Sequence, residues 1–298
     1  MAKRIFLFIL VNFLVLITIS LIISFLGIGH IIGPLGINYA PLFLICLIWG
    51  MGGSFISLLL SKWMARMLMG VQLVTVAGPH KELVETVHRL SRRAGLTDLP
   101  EVGIYQSEEL NAFATGPSRS NSLIAVSTGL IMNMNTEELE GVLGHEISHI
   151  ANGDMVTLTL IQGVLNAFVL FFSRVVAYLI SQQVKDDDNE VSGLGPMSHF
   201  ILVIVLDILF GILASIVVSW FSRRREFKAD KGGADLAGKE KMIKALKALE
   251  RFYPQLETTP NTQNKNFQSM QISAKGSFIS LFSTHPPIGE RIEALKRL

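Results

Sequence analysis

Residues 135–153, Asn-Thr-Glu-Glu-Leu-Glu-Gly-Val-Leu-Gly-His-Glu-Ile-Ser-His-Ile-Ala-Asn-Gly, carry the pattern from which the rest of the chain is read. Asn135 is a helix-capping residue type, and Glu138 three positions on can close a capping box. Leu139, Val142, Leu143, Ile147 and Ile150 recur at helical spacing, and Gly153 offers a stop. The segment is therefore predicted to be a helix. On it His145 and His149 stand one turn apart on one face, so both imidazoles can reach one metal ion. Glu146 lies beside them, placed to take a proton from an attacking water. The plain alternative is a solvated helix that happens to carry two histidines.

The surrounding composition is not that of a soluble protein. Of 298 residues, 50% are hydrophobic and only 17% charged, and the mean hydropathy is +0.46. That balance points to membrane segments with a modest soluble part. The net charge of +2 is spread along the chain and gives no reason to expect a nucleic-acid partner. Cys46 is the single cysteine, so no disulfide forms within one chain, which suits a soluble part facing the cytosol.

Four apolar runs are long enough to cross a bilayer, which takes roughly 20 helical residues: 5–26, 40–60, 158–180 and 200–221. Lys3 and Arg4 before the first run resemble a signal peptide. The run exceeds the ~7–15 residues of a signal core, however, and no small-x-small cleavage site follows. Gly50, Gly52, Gly53 and Ser54 in the second run permit close helix approach. The third and fourth runs hold Arg174 and Asp207, and their alternative reading is a buried hairpin of a soluble domain. Counted at ~1.5 Å per residue, the two charges fall at similar depth on antiparallel neighbours. They either pair, or Arg174 snorkels to the headgroups while Asp207 faces other helices.

Basic residues set the orientation. Lys3, Arg4, Lys62, Arg66 and Arg223 to Arg225 all fall on one side if every run crosses. Residues 27–39 contain no Lys or Arg, and residues 181–199 contain Lys185 alone against Asp186, Asp187, Asp188 and Glu190. Both termini are then cytosolic. The organisation predicted is a transmembrane hairpin over 1–60, the first part of a cytosolic domain over 61–156, a second hairpin over 157–221, and the rest of the cytosolic domain over 222–298. Residues 254–275, rich in Thr, Asn, Gln and Ser, read as a mobile loop.

A catalytic zinc needs a third protein ligand and an open position. The longer pattern H-E-x-x-H-x-x-G-x-x-H fails, because Asn152 and Met155 occupy its last two defined positions. Glu190, Glu226, Glu240, Glu250 and His285 have suitable chemistry. Two crossings separate Glu146 from Glu226, which returns both to the same side and near the bilayer surface, whereas Glu190 falls on the other side. Glu226 is therefore expected to be the ligand. Asp230, one turn on, can accept from the outward N–H of a ligating imidazole. The alternative for both acids is an ordinary charged face after an arginine cluster.

Between expected strands at 101–105 and 123–126 lies the segment Asn111, Ala112, Phe113, Ala114 and Thr115. It is either a hairpin connection or an exposed edge strand that holds a peptide extended. His285-Pro286-Pro287 can start the last helix, and His285 and Arg291 are alternatively candidates for stabilising an oxyanion.

His145 to Asp154 together with Glu226-Phe227-Lys228-Ala229-Asp230 resemble the M48 zinc peptidases. The resemblance runs over essentially the whole chain. It includes Asn111 to Gly116, and His285-Pro286-Pro287 with Arg291, with no departure at the motif positions. It implies one Zn2+ per chain, polypeptide substrates cleaved at the cytosolic face of a bacterial cytoplasmic membrane, and a role in clearing damaged membrane proteins.

The fold expected is thus an α-helical membrane protein of four transmembrane helices with a cytosolic α+β zincin-like metalloprotease domain. The partners expected are polypeptides, membrane proteins among them, and the lipid bilayer. Two rivals come from other classes. One is a membrane scaffold with a structural metal, although no fourth His or Cys lies near the motif to close such a site. The other is a transporter, for which one ionisable residue in each of two spans makes a thin pathway.

Overall fold

The computed structural model describes residues 32–33, 36–37, 39–183, 194–258 and 285–298. The first apolar run, Glu190 and most of the segment 254–275 lie outside them. Contacts divide the chain into two units, Met1–Ile56 with Thr159–Trp220, and Ser57–Leu158 with Phe221–Leu298.

Among the described residues, the first unit has a short antiparallel pair, β1 (Ile32–Gly33) and β2 (Gly36–Ile37). It then draws on three helices: α1 (Tyr39–Met69) and, later in the chain, α5 (Asp154–Ser181) and α6 (Pro196–Ala237). Each is long and apolar enough to cross a membrane. Leu44, Ile48, Phe172, Ile201, Leu209 and Leu213 point outward on them, the arrangement expected of helices whose solvent is lipid. Inside the unit a Cβ on Gly50 would lie 2.4 Å from the Ala167 backbone, so the small residue is what lets α1 and α5 approach. Cys46, Val169 and Leu170 fill the contact. Arg174 Nη1 and Asp207 Oδ1 lie 3.6 Å apart, with Asp207 buried.

The second unit contains β3 (Gln72–Val74), α2 (Lys81–Arg93), β4 (Glu101–Tyr105), β5 (Ala112–Thr115), β6 (Leu123–Ser127) and the short α3 (Thr128–Asn133). After these come α4 (Thr136–Asn152), α7 (Lys239–Thr258) and α8 (Ile288–Lys296). The sheet order is β3-β4-β6-β5. The β4/β6 pair is parallel and the other two are antiparallel, which leaves β5 on an edge. The segment after Asn111 is thus a strand in its own right.

The fourth apolar run stops at the arginines, but α6 continues without a break to Ala237. Arginine is a good helix former, so a run of three ends the apolar stretch without ending the helix. The helix α7 likewise continues through Pro254 to Thr258, into the segment read as loop. A proline removes one hydrogen bond and strains the helix without always terminating it.

Leu143, Ile147 and Ile150 of α4 are fully buried, in one core with Val87 and Leu90 of α2 and Ile124 and Val126 of β6. The apolar stripe of residues 135–153 thus faces the sheet.

Candidate metal centre

The local sequence of α4 fixes where its histidines point. Asn135 Oδ1 accepts from the N–H groups of Glu137 and Glu138, and the Glu138 carboxylate accepts from Asn135 N–H. That closes the capping box and sets the register of the first turn. At the other end Gly153 adopts φ 70°, and its N–H donates to Ile150 O. A left-handed residue here turns the chain sharply into α5.

Between these ends His145 and His149 are buried with their Nε2 atoms 3.1 Å apart. Glu226, 1% exposed on α6, brings Oε2 to 3.4 Å from His145 Nε2 and Oε1 to 3.4 Å from His149 Nε2. Among the described residues these three form the group able to hold a metal ion. Glu240 and Glu250 are exposed elsewhere.

The outer nitrogens of both rings are engaged. His145 Nδ1 lies 2.9 Å from Asp230 Oδ1, and His149 Nδ1 lies 2.6 Å from Asp154 Oδ2. A carboxylate on Nδ1 holds the proton there and leaves the Nε2 lone pair for a ligand. Asp230 is held in turn by Arg291, whose Nε and Nη2 donate to its two oxygens at 2.7 and 2.6 Å. His285 Nδ1 sits 2.9 Å from Glu226 Oε2 and is half-exposed. Asp154 is the residue that sequence reasoning left without a role. Its signal was its place directly after the Gly153 stop.

This donor set fits a divalent cation. Two Nε2 lone pairs and a carboxylate converge on one space, and buried Glu226 Oε1 has no hydrogen-bond partner. Burial pushes the His145 imidazole down, but the carboxylates of Asp230 and Glu226 outweigh it and raise its pKa to about 9. His149 is shifted upward in the same way: burial lowers it, and Asp154 and Glu226 raise it by more. Two imidazoles and a carboxylate are donor types that suit a divalent transition metal.

Glu146 is the half-buried residue in an otherwise buried stretch of α4. Its Oε2 accepts from the main-chain N–H of Ala114 on β5 at 2.9 Å. The edge strand thus runs beside the metal cluster, with Ala112 and Phe113 preceding the contact and Asn111 joined by its carbonyl to Ser127 N–H at 2.9 Å.

The model of Peptidase family M48 matches residues 78–298. Protease HtpX of Shewanella piezotolerans is 51% identical over 296 residues, covering 99% of both chains. The Protease HtpX homolog of Bacillus subtilis strain 168 is 49% identical over 306 residues, again covering 99% of both. Among solved structures, S. mikatae Ste24p superposes with a TM-score of 0.56 at 18% identity, over 94% of this chain and 66% of its own, a likeness of fold.

Proposed function

The chain belongs to peptidase family M48, and from that premise we propose a membrane-embedded zinc endopeptidase that cuts polypeptides at the cytosolic face of a bacterial cytoplasmic membrane. The observation that carries the assignment is the meeting of His145, His149 and Glu226 in one buried cluster beside Glu146. His145, His149 and Glu226 would hold the ion, with Asp230 and Asp154 orienting the two imidazoles. When bound, zinc supplies Lewis-acid polarisation of the scissile carbonyl and a lowered pKa for the attacking water. Glu146 takes the proton of that water and delivers it to the leaving amine. The β5 edge at Ala112 and Ala114 holds the substrate extended through main-chain hydrogen bonds, which suits cleavage with little regard for sequence. His285, half-exposed beside Glu226, is the candidate for stabilising the oxyanion, since Arg291 is committed to Asp230.

The HtpX relatives are proteases by name, and their full-length match supports the same activity here over a scaffold or a transporter. Substrates drawn from damaged or misfolded membrane proteins fit an enzyme carried on apolar helices. The test is digestion of casein by the purified protein, with and without a chelator, beside Glu146→Gln. The variant is expected to keep its zinc and to lose ~10²–10⁴ in rate. Near-normal turnover with stoichiometric zinc would remove Glu146 from the mechanism.

A further inference from the structure

The β5 edge and the Glu146 carboxylate are joined by one hydrogen bond, and the strand register explains why that bond is available. Ser127 N–H donates to Asn111 O, which makes residues 111 and 127 a hydrogen-bonded pair of the antiparallel ladder. Such pairs alternate. Phe113 opposite Ala125 and Thr115 opposite Leu123 therefore spend their main-chain groups on β6. Ala112 and Ala114 turn theirs to the open edge. At Ala114 the outward N–H does not face solvent: it donates to Glu146 Oε2 at 2.9 Å.

We propose that the main-chain N–H of Ala114 is a positioning group for Glu146, fastening one carboxylate oxygen so that the other faces the reacting water. The inference rests on the reading of Glu146 as the proton carrier. A glutamate has three side-chain torsions, and freezing such a chain carries an entropic cost. A hydrogen bond from a rigid strand meets that cost before substrate arrives. It also shapes the binding edge. An incoming strand finds the N–H and C=O of Ala112 and the C=O of Ala114, but not the Ala114 N–H. The substrate ladder therefore ends at Ala114, beside the carboxylate that moves the proton.

Ala114→Pro removes this N–H and no other. Proline is tolerated on an edge strand when its nitrogen faces away from the partner, and the extended conformation it asks of Phe113 is already present. The reference is Ala114→Ser, which retains the N–H. Relative to it, Ala114→Pro should lower kcat about 10–10²-fold, the scale of losing orientation at a reacting group. KM should move by less than about twofold, zinc content should match, and short and long peptides should be affected alike. A kcat within about twofold of the serine variant overturns the proposal. So does a loss confined to KM on long peptides, which would assign the N–H to substrate. Should the proline variant fail to fold, lactic acid in place of Ala114 converts the amide to an ester, and the same outcomes apply. Glu146→Gln runs in parallel. If it turns over normally, the reading of the base falls; if it is inactive while Ala114→Pro is normal, only the positioning role falls.

Discussion

Asp154→Ala tests how far the imidazole orientation depends on a residue outside the metal-binding triad. The carboxylate lies 2.6 Å from His149 Nδ1, and both groups are buried. A hydrogen bond to a charged partner is worth about 1.5–3 kcal/mol net. At ~1.36 kcal/mol per tenfold, its loss should weaken zinc binding about 10- to 150-fold. That agrees with the ~10–100-fold typical of removing the carboxylate behind a ligating histidine. The effect on folding should be milder than that of breaking a buried ion pair, about 1–3 kcal/mol for the buried Nδ1–H left without its partner. Asp230→Ala makes the contrast. It leaves Arg291 buried with only the longer 3.8 Å ion-pair contact to Glu226; breaking a buried pair costs about 3–5 kcal/mol, so zinc affinity and melting temperature should fall together. The assay is competition for zinc against a chromophoric chelator at neutral pH, with thermal melting of the same samples. Asp154→Asn, whose amide oxygen still accepts from Nδ1–H, should fall between wild type and Asp154→Ala. A zinc affinity for Asp154→Ala within twofold of wild type would refute the orientation argument.

Glu226→Ala should lose zinc and hydrolysis together, while Glu240→Ala and Glu250→Ala, both at exposed positions, should retain both; metal analysis with a peptide assay decides. Gly233→Ala puts a Cβ 2.9 Å from His145 N and 3.0 Å from Met242 Sδ. It should cost about 1–3 kcal/mol by overpacking, and an unchanged melting temperature would contradict the close packing. Arg174→Leu and Asp207→Leu should each destabilise the protein in detergent, and the double variant should recover part of the loss, given the 3.6 Å ion pair. Strictly additive losses would mean that the pair contributes no coupling.

The α4 helix was fully legible because each of its signals is local. The capping box, the 3.6-residue stripe, the i, i+4 histidines and the glycine stop lie within nineteen consecutive positions, 135–153. Glu226 was reached by counting membrane crossings, which gives a side and not a distance. The one-turn spacing of Glu226 and Asp230 was legible as well; what the count did not give is that α6 passes its arginines as one helix to Ala237. Asp154 escaped for another reason. It meets His149 across the left-handed turn at Gly153, where helical spacing no longer says which side chains meet. The Ala114 N–H leaves no mark in a sequence at all, since every residue but proline has one. Only the register of β5 on β6 decides which amides face outward.

Segments eighty residues apart meet where His145 and His149 face Glu226. The ligand set needs α4 and the end of α6 at a separation that ordinary side chains would prevent. A Cβ on Gly144 would lie 3.1 Å from Gly233 O, and one on Gly233 would press on the His145 backbone. A Cβ on Gly232 would collide with Ser148 Oγ. These small residues sit one turn or less from His145, His149 and Asp230. The two helices are therefore in close contact beside His145 and Ser148, and tight backbone contact leaves side chains few rotamers. Carboxylates at Asp230 and Asp154 then fix the rings, and Arg291 fixes Asp230. Precision at the site thus arises first from glycine-permitted packing and only then from hydrogen bonds. That ordering implies that Gly233→Ala should weaken zinc binding, although the glycine touches no ligand atom that would hold the metal.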